Sequence, residues 1–385
     1  MKKLLILAYD FPPYTSMGAQ RPYGWYLSLK SYSWEPTIIT RHWPAEYHAK
    51  EDYNKNCRQK ITCEKSHLGT IIRVPYKANL RDKIIVTHGF NRLSLIRKLL
   101  TTIYSVLQHL SFIFDNKSGI YFEAKKILAQ QKFDYIIASG EPFILFRYAY
   151  KLAEKFHTPW IADYRDCWSD NFEVNRQGGL NRLLHKSYFR FFERRYVNNA
   201  IIITTAAPYF KNQLNLLFPE KKIYVVFNGY NEDEYEINIS NISNQNLIIA
   251  FGGTIYPFQP LELFFEGLKK WLVKPINPNL KIFFYGADYS IEQKNRILNF
   301  DDKLRQYIIT TPRLIKSELF KYFSNADIFL LFDNKGMISG KLYEYLPFNK
   351  KIILCGRDFG SMEEILTDTN TGIFCNSADD VAAAL

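Results

Sequence analysis

At 385 residues the chain is long for one hydrophobic core and comfortable for two. Its 47% apolar content excludes a disordered protein, and five scattered cysteines without a C-x-x-C pair suggest a reducing compartment and no disulfide framework. The net charge of +12 belongs to the first half: residues 1–235 hold 34 Lys and Arg against 21 Asp and Glu, and residues 236–385 hold 16 against 17, so the first half should meet an anionic partner.

The opening run, Met1 to Asp10, is too short for a signal peptide, and Asp10 and Pro12-Pro13 follow it at once, so it reads as a first buried strand, Leu4–Ala8. A Pro/Gly loop over Pro12–Gly18 leads to a helix over Arg21–Ser31 and a strand at Thr37–Thr40. Residues 92–114 place Leu93, Ile96, Leu99, Leu100, Ile103, Val106, Leu107 and Leu110 at helical spacing, flanked by Arg92, Arg97 and Lys98. That stripe fits either a core-facing helix or an interfacial helix on anionic lipid. A basic-aromatic stretch over His185–Tyr196, with Lys186, Arg190, Arg194 and Arg195, adds to the second reading. Further strands follow at Tyr135–Ser139, Trp160–Ala162, Ile201–Thr205 and Ile223–Phe227, with a helix from Pro142 to about Phe156. No uncharged apolar segment reaches spanning length, and a cytoplasmic protein, at most peripheral at the inner face of a membrane, is expected.

Residues 228–246 turn polar and Asn/Ser-rich and read as a linker, giving domains at 1–235 and 236–385. The pattern then restarts. Strands are expected at Leu247–Phe251, Lys281–Tyr285, Tyr307–Thr310, Ile328–Phe332 and Lys351–Gly356, with helices over Leu261–Trp271 and from Ser317 to about Asn325. Strands alternating with helices predict an α/β protein whose halves are each doubly wound around a parallel sheet. The last residues, Asp379–Leu385, open a helix that stops at once, as if a final element were missing.

Residues 339–346, Ser-Gly-Lys-Leu-Tyr-Glu-Tyr-Leu, carry the sharpest chemical signal. Ser339 and Gly340 end a polar loop after a strand, and Lys341 and Glu344 share one helix face. At such a place Lys341 meets a diphosphate as a point charge and Glu344 accepts hydrogen bonds from a ribose; the alternative is a solvated ion pair. Asp163, Arg165 and Asp166 follow a strand end, where a carboxylate and a guanidinium would line a reaction centre or form a structural pair. Gly18 and Gly253 would let backbone approach a ligand, or serve as turn glycines. No Asp-x-Asp metal pair occurs, and the seven histidines, His42 to His185, show no metal-ligand spacing, so a metal-independent reaction is expected.

Several segments together resemble GT-B glycosyltransferases, family 4 in particular, of the bacterial surface-polysaccharide type. Asp10-Phe11-Pro12-Pro13 with Gly18-Ala19-Gln20-Arg21-Pro22 resembles the family's acceptor-side loop, and Pro159 through Trp168 its cleft segment. Asn228-Gly229-Tyr230 resembles its interdomain turn, and Ser339–Leu346 its donor-binding helix. The sequence departs from the family where Gly336 stands in place of a Glu, and where Gly253-Thr254-Ile255-Tyr256-Pro257-Phe258-Gln259 stands in place of the usual Arg and Lys.

The resemblance implies two Rossmann-like domains facing a cleft. The first domain would bind the acceptor with Gly18 and Arg21. The second would bind a nucleotide-diphosphate sugar with Gly253, Thr254, Gly286, Arg313, Ser339, Gly340, Lys341 and Glu344. Asp163, Arg165, Asp166 and Lys341 would carry the chemistry, with retention of anomeric configuration, no cofactor and no metal. The acceptor would be a glycan or a polyprenyl-diphosphate-linked sugar at an anionic membrane surface. Two alternatives are a nucleotide-sugar epimerase of the same fold and a non-enzymatic anion-binding or nucleic-acid-binding protein. The second half lacks a histidine to help the first, and no recognition motif supports the second, so nucleic acid is not an expected partner.

Overall fold

The computed structural model describes all residues except 15–16, 45–49, 58, 91, 110–114, 171–178, 231–245, 274–278, 335–336 and 357–359. The chain divides into two compact units, Met1–Asn228 and Gly229–Leu385. The division falls where the composition changes, and the expected boundary at 235, with most of the expected linker, lies outside the described residues.

In the first unit the strands are β1 (Lys2–Ala8), β2 (Trp34–Arg41), β3 (Thr62–Lys65), β4 (Thr70–Val74), β5 (Tyr135–Gly140), β6 (Trp160–Tyr164), β7 (Ile202–Thr205) and β8 (Ile223–Val225). They form one sheet in the order β3-β4-β2-β1-β5-β6-β7-β8, parallel throughout except for the β3–β4 edge pair. The helices are α1 (Met17–Ser28), α2 (Leu80–His88), α3 (Ser94–Leu107), α4 (Ser118–Gln130), α5 (Ile144–Phe156), α6 (Gly179–Val197) and α7 (Pro208–Leu217).

Strand β1 shows why the sheet is wound on both faces. Leu5 and Leu7 join one buried cluster with Ile39, Ile136 and Leu152, whereas Leu4, Ile6 and Ala8 join another with Phe11, Tyr26 and Ile38. Alternate side chains of a strand leave on opposite faces, so a continuous apolar run demands cover on both.

The second unit repeats the plan with β9 (Asn246–Gly252), β10 (Asn279–Tyr285), β11 (Ile308–Thr310), β12 (Ile328–Phe332), β13 (Lys351–Cys355) and β14 (Gly372–Cys375), all parallel, in the order β11-β10-β9-β12-β13-β14. Its helices are α8 (Leu261–Leu272), α9 (Ile291–Leu298), α10 (Asp302–Arg305), α11 (Lys316–Ser324), α12 (Gly340–Tyr345), α13 (Ser361–Asp368) and α14 (Ala378–Ala384). Leu330 and Phe332 face one cluster, and Phe329 and Leu331 face the other.

In each sheet the winding reverses once, between β1 and β5 and between β9 and β12. Ligands of open α/β sheets bind beyond the strand C-termini at such a switch point. The loops that follow β1, β5, β9 and β12 are therefore the places to look.

Candidate functional site

In the second unit, β9 ends at Gly252, and the next residue, Gly253, has φ +92°, in the left-handed region that favours glycine. Gly286, after β10, has φ +84°. The two turns touch: a side-chain carbon on Gly286 would lie 3.7 Å from the Cα of Gly253, and one on Gly253 would lie 3.3 Å from Cε of Lys341. Gly253, Gly286 and Lys341 thus meet at one point at the switch.

Lys341 lies in the first turn of α12, with Nζ 5.2 Å from the ring centre of Phe251 in β9. Burial lowers its pKa from the ordinary lysine value to about 8, and the charge of Glu344 pulls it back up. Among the described residues no carboxylate forms an ion pair with it. Helix α12 is only six residues long, so the helix start adds little and the positive charge rests on Lys341 itself.

Three side chains that the sequence did not single out hold this arrangement. The Tyr345 hydroxyl accepts from the Gly252 N–H at 2.9 Å, and its ring stacks on Phe329 at 4.3 Å between centres, which fixes α12 against β9 and β12. Gln293 in α9 accepts from the Ile255 N–H at 3.2 Å and donates to the Gly253 carbonyl at 3.1 Å. Arg296, one turn on, donates to the Tyr256 and Gln259 carbonyls. The segment from Gly253 to Gln259 is therefore clamped by α9, with Thr254 exposed between the clamped residues. A lone Gln or Tyr in an amphipathic helix carries no periodic signal that would have marked it.

The remaining donor-side expectations divide. The Thr311 hydroxyl accepts from the Gly286 N–H at 3.3 Å, bringing the loop after β11 beside the loop after β10. Arg313, on that loop, lies over the Tyr289 ring at 5.5 Å and is exposed. Ser339 is buried, with its N–H 3.4 Å from the Met362 Sδ, and Gly340 opens α12. Glu344 is half-buried in the same helix.

In the first unit Asp163 closes β6 and is fully buried. Arg21 of α1 grips both its oxygens, with Nε 3.1 Å from each and Nη2 2.7 Å from Oδ1. The hydroxyls of Ser139 and Thr204 donate to the same carboxylate at 2.9 and 2.8 Å. Arg21 also donates to the Val226 carbonyl and to Asn228 Oδ1. This closed network ties α1, β5, β6, β7 and the end of the unit together. Both side chains are buried in it, which favours the structural pairing over the catalytic role expected of Asp163 and the acceptor-side role expected of Arg21.

Arg165 behaves differently. Its Nε donates to the Gly140 carbonyl at 2.7 Å, Nη1 to Asp10 Oδ2 at 3.1 Å, and Nη2 to the Glu141 carbonyl. Asp10 follows β1 and Gly140 ends β5, so this guanidinium sits at the switch point. Asp10, Glu141 and Asp166 all have their carboxyls pushed up by burial, and the Arg165 charge offsets this in part. Asp10 Oδ1 is buried without a hydrogen-bond partner among the described residues. An orphan acceptor of this kind marks a place where a donor from outside can bind. Asp10 was missed as a site residue because its partner lies 155 positions away.

Gly18 is required by close approach. A side-chain carbon there would lie 1.6 Å from Arg165 Nη1 and 2.8 Å from Asp10 Oδ2. Gly18→Ala should therefore expel Arg165 from its bonds and destabilise the protein by about 1–3 kcal/mol. Chemical denaturation measures this; an unchanged midpoint would mean that Arg165 is not held against Gly18.

No family model matches the chain, and no curated protein matches it. Solved structures do. Sucrose-phosphate synthase from Thermosynechococcus elongatus aligns over 100% of this chain and 88% of its own, at 13% identity and a TM-score of 0.60. A glycosyltransferase from Rickettsia africae aligns over 100% and 86%, at 12% identity and 0.59. Anabaena HepE, solved with UDP, aligns over 100% and 88%, at 10% identity and 0.57. The chain has the GT-B glycosyltransferase fold. At these identities the likeness establishes the fold alone.

Among the described residues, no cluster of three or more His, Cys, Asp or Glu side chains could hold a metal ion. All five cysteines are free thiols, and Cys167, Cys355 and Cys375 are buried.

Proposed function

We propose that the protein is a glycosyltransferase that moves a sugar from a nucleotide-diphosphate sugar to a hydroxyl of a glycan or polyprenyl-diphosphate-linked acceptor, in the building of a surface polysaccharide. The observation that carries this is Lys341, a half-buried lysine that no carboxylate among the described residues pairs, set against two left-handed glycine turns at the C-terminal end of the second unit's sheet. Glycosyltransferases of this fold provide the context, and HepE is described as binding UDP and UDP-glucose. The acceptor oxygen forms a bond to the anomeric carbon on the face the diphosphate leaves, the bond from that carbon to the diphosphate oxygen breaks, and its electron pair leaves with the diphosphate. Lys341 neutralises the charge that develops there. The glycine turns let backbone lie against the diphosphate, and Glu344 holds the ribose. Thr254, Gly286, Arg313, Ser339 and Gly340 complete the donor side.

On the acceptor side, Arg165 with Asp10, Glu141 and Asp166 receives the acceptor hydroxyl, and Asp166, the exposed carboxylate of the two aspartates, takes its proton. The configuration is retained, and the protein works in the cytoplasm at the inner face of a membrane. A panel of nucleotide sugars mixed with purified protein tests the reading. Slow hydrolysis or transfer of one donor supports it, epimerisation would favour the epimerase alternative, and no turnover with no nucleotide binding would end it.

Because Lys341 supplies the cation, activity should persist in excess chelator. Loss of activity with rescue by magnesium or manganese would contradict metal independence. Lys341 also sets a pH dependence. The protonated amine binds diphosphate, and its pKa in the free protein is about 8. Affinity for UDP or ADP should be flat below pH 7 and fall about tenfold per pH unit above 8, with proton uptake on binding near pH 8. Between pH 8 and the ordinary lysine value the unfolded chain binds the extra proton, so the free protein gains stability as pH rises through that window. Calorimetry in two buffers of different ionisation enthalpy measures the uptake; none at pH 8 would place Lys341 away from the diphosphate.

A further inference from the structure

We infer that the outward faces of α3 and α6 together form a docking surface for an anionic lipid bilayer. The inference rests on the membrane reading above for its partner and adds the face that makes the contact.

Helix α3 is amphipathic but turned the wrong way round for a water-soluble surface. Leu95, Leu99, Ile103 and Val106 follow one another at helical spacing, with Ile96 and Leu107 beside them, and all six are exposed, Leu95 by 80% and Leu99 by 61%. No residue of the helix is buried. Its half-buried side is mostly polar, with Ser94, Arg97, Tyr104 and Ser105 beside a single leucine, Leu100, and the Thr101 hydroxyl accepts from Arg81 of α2. A helix that rests on its polar side and presents its apolar side outward has its preferred solvent outside the protein. The stripe at 92–114 is therefore not core-facing over the described residues; Leu110 lies outside them.

The patch continues onto α6. The Tyr188 hydroxyl donates to the Val106 carbonyl at 3.1 Å, so α6 meets the last turn of α3. On α6, Phe191 is 61% exposed and Leu183 60%, with Arg194 and Arg195 exposed next to Phe191.

Charge selects the occupant. Residues 92–114 contain no acidic residue, and the single acid of α6, Glu193, is buried, bonded to the Tyr164 hydroxyl and the Ser169 N–H. The rim is Arg92, Lys98, Arg190, Arg194 and Arg195. A second copy of the chain brought face to face would set these cations against their own kind. An anionic bilayer instead offers hydrocarbon to the leucines and phosphates to the rim. Among the described residues no helix is long and apolar enough to cross a membrane, so the contact lies in the interface plane.

The test is flotation of the full chain with phosphatidylglycerol–phosphatidylcholine vesicles and with phosphatidylcholine alone, at low and high salt. The expected result is binding to the anionic vesicles that salt weakens. Replacing Arg92, Lys98 and Arg194 together by Gln should lower partitioning roughly a hundredfold. Leu99→Ser with Ile103→Ser should lower it by about the same factor and leave the melting temperature in place. UDP titration runs alongside on each variant. A protein that binds UDP and never floats overturns this inference and spares the transfer reading; one that floats without binding UDP or ADP does the reverse. A large drop in melting temperature for the serine pair, or a dimer that the pair dissolves, would show the face covered by protein and overturn the inference.

Discussion

Lys341→Ala is expected to leave a folded protein that has lost its donor. A charge-assisted contact to a diphosphate is worth about 1.5–3 kcal/mol, so the dissociation constant for UDP or ADP should rise about tenfold to a hundredfold. Transfer should fall further, by roughly a hundredfold to a thousandfold in kcat, because the charge on the leaving diphosphate is greatest in the transition state. The fold should not suffer. Burial disfavours the charged amine, as its lowered pKa shows, so removing it relieves a cost. Tyr345 still bonds the Gly252 N–H and keeps α12 in register. Isothermal calorimetry with UDP and ADP, beside a thermal melt, checks both halves of this. Unchanged affinity would remove Lys341 from the site; loss of affinity with a collapsed melting temperature would mark it as structural.

Arg21→Ala should act in the opposite way, through stability. It removes the cation from a fully buried carboxylate and leaves Asp163 with two hydroxyl donors, while the Val226 carbonyl and the Asn228 side chain lose their donor. Breaking one partner out of a buried ion pair costs about 3–5 kcal/mol. For a unit of this size that is roughly a 10 °C fall in melting temperature. Replacing both partners, Arg21→Met with Asp163→Leu, should cost clearly less than either single change, because no charge is then stranded. On the proposed reading nucleotide binds the second unit, so its affinity should hold at temperatures where the variant is folded. If Arg21→Ala keeps its melting temperature and loses only transfer, Arg21 touches acceptor after all and the network is not what holds α1 down.

Much of the fold was legible because buried parallel strands write themselves as apolar runs. Ile328–Phe332 is the predicted strand residue for residue, and β1, β5, β9 and β10 differ only by a residue or two at their ends. The misses have local causes. Strand β3, Thr62–Lys65, is exposed at every position and antiparallel at an edge, so nothing in its hydrophobicity sets it apart. Helix α1 begins at Met17 rather than Arg21, with Pro22 inside it. Arg21 bonds the Val226 carbonyl and the Asn228 side chain, at the end of the first compact unit.

Sequence alone determined two doubly wound units, the charge asymmetry between the halves and the candidacy of Lys341, because each of these is encoded in short-range pattern and composition. The tertiary structure decided which candidate residues keep free groups. Asp163 and Arg165 stand two positions apart, and one is sealed by Arg21 while the other joins Asp10 and the Glu141 carbonyl beside an orphan oxygen. It also decided which way α3 faces, since periodicity states that a helix has an apolar side but not what lies against it. Both decisions depend on contacts between residues far apart in the chain, and such contacts leave no trace in local spacing.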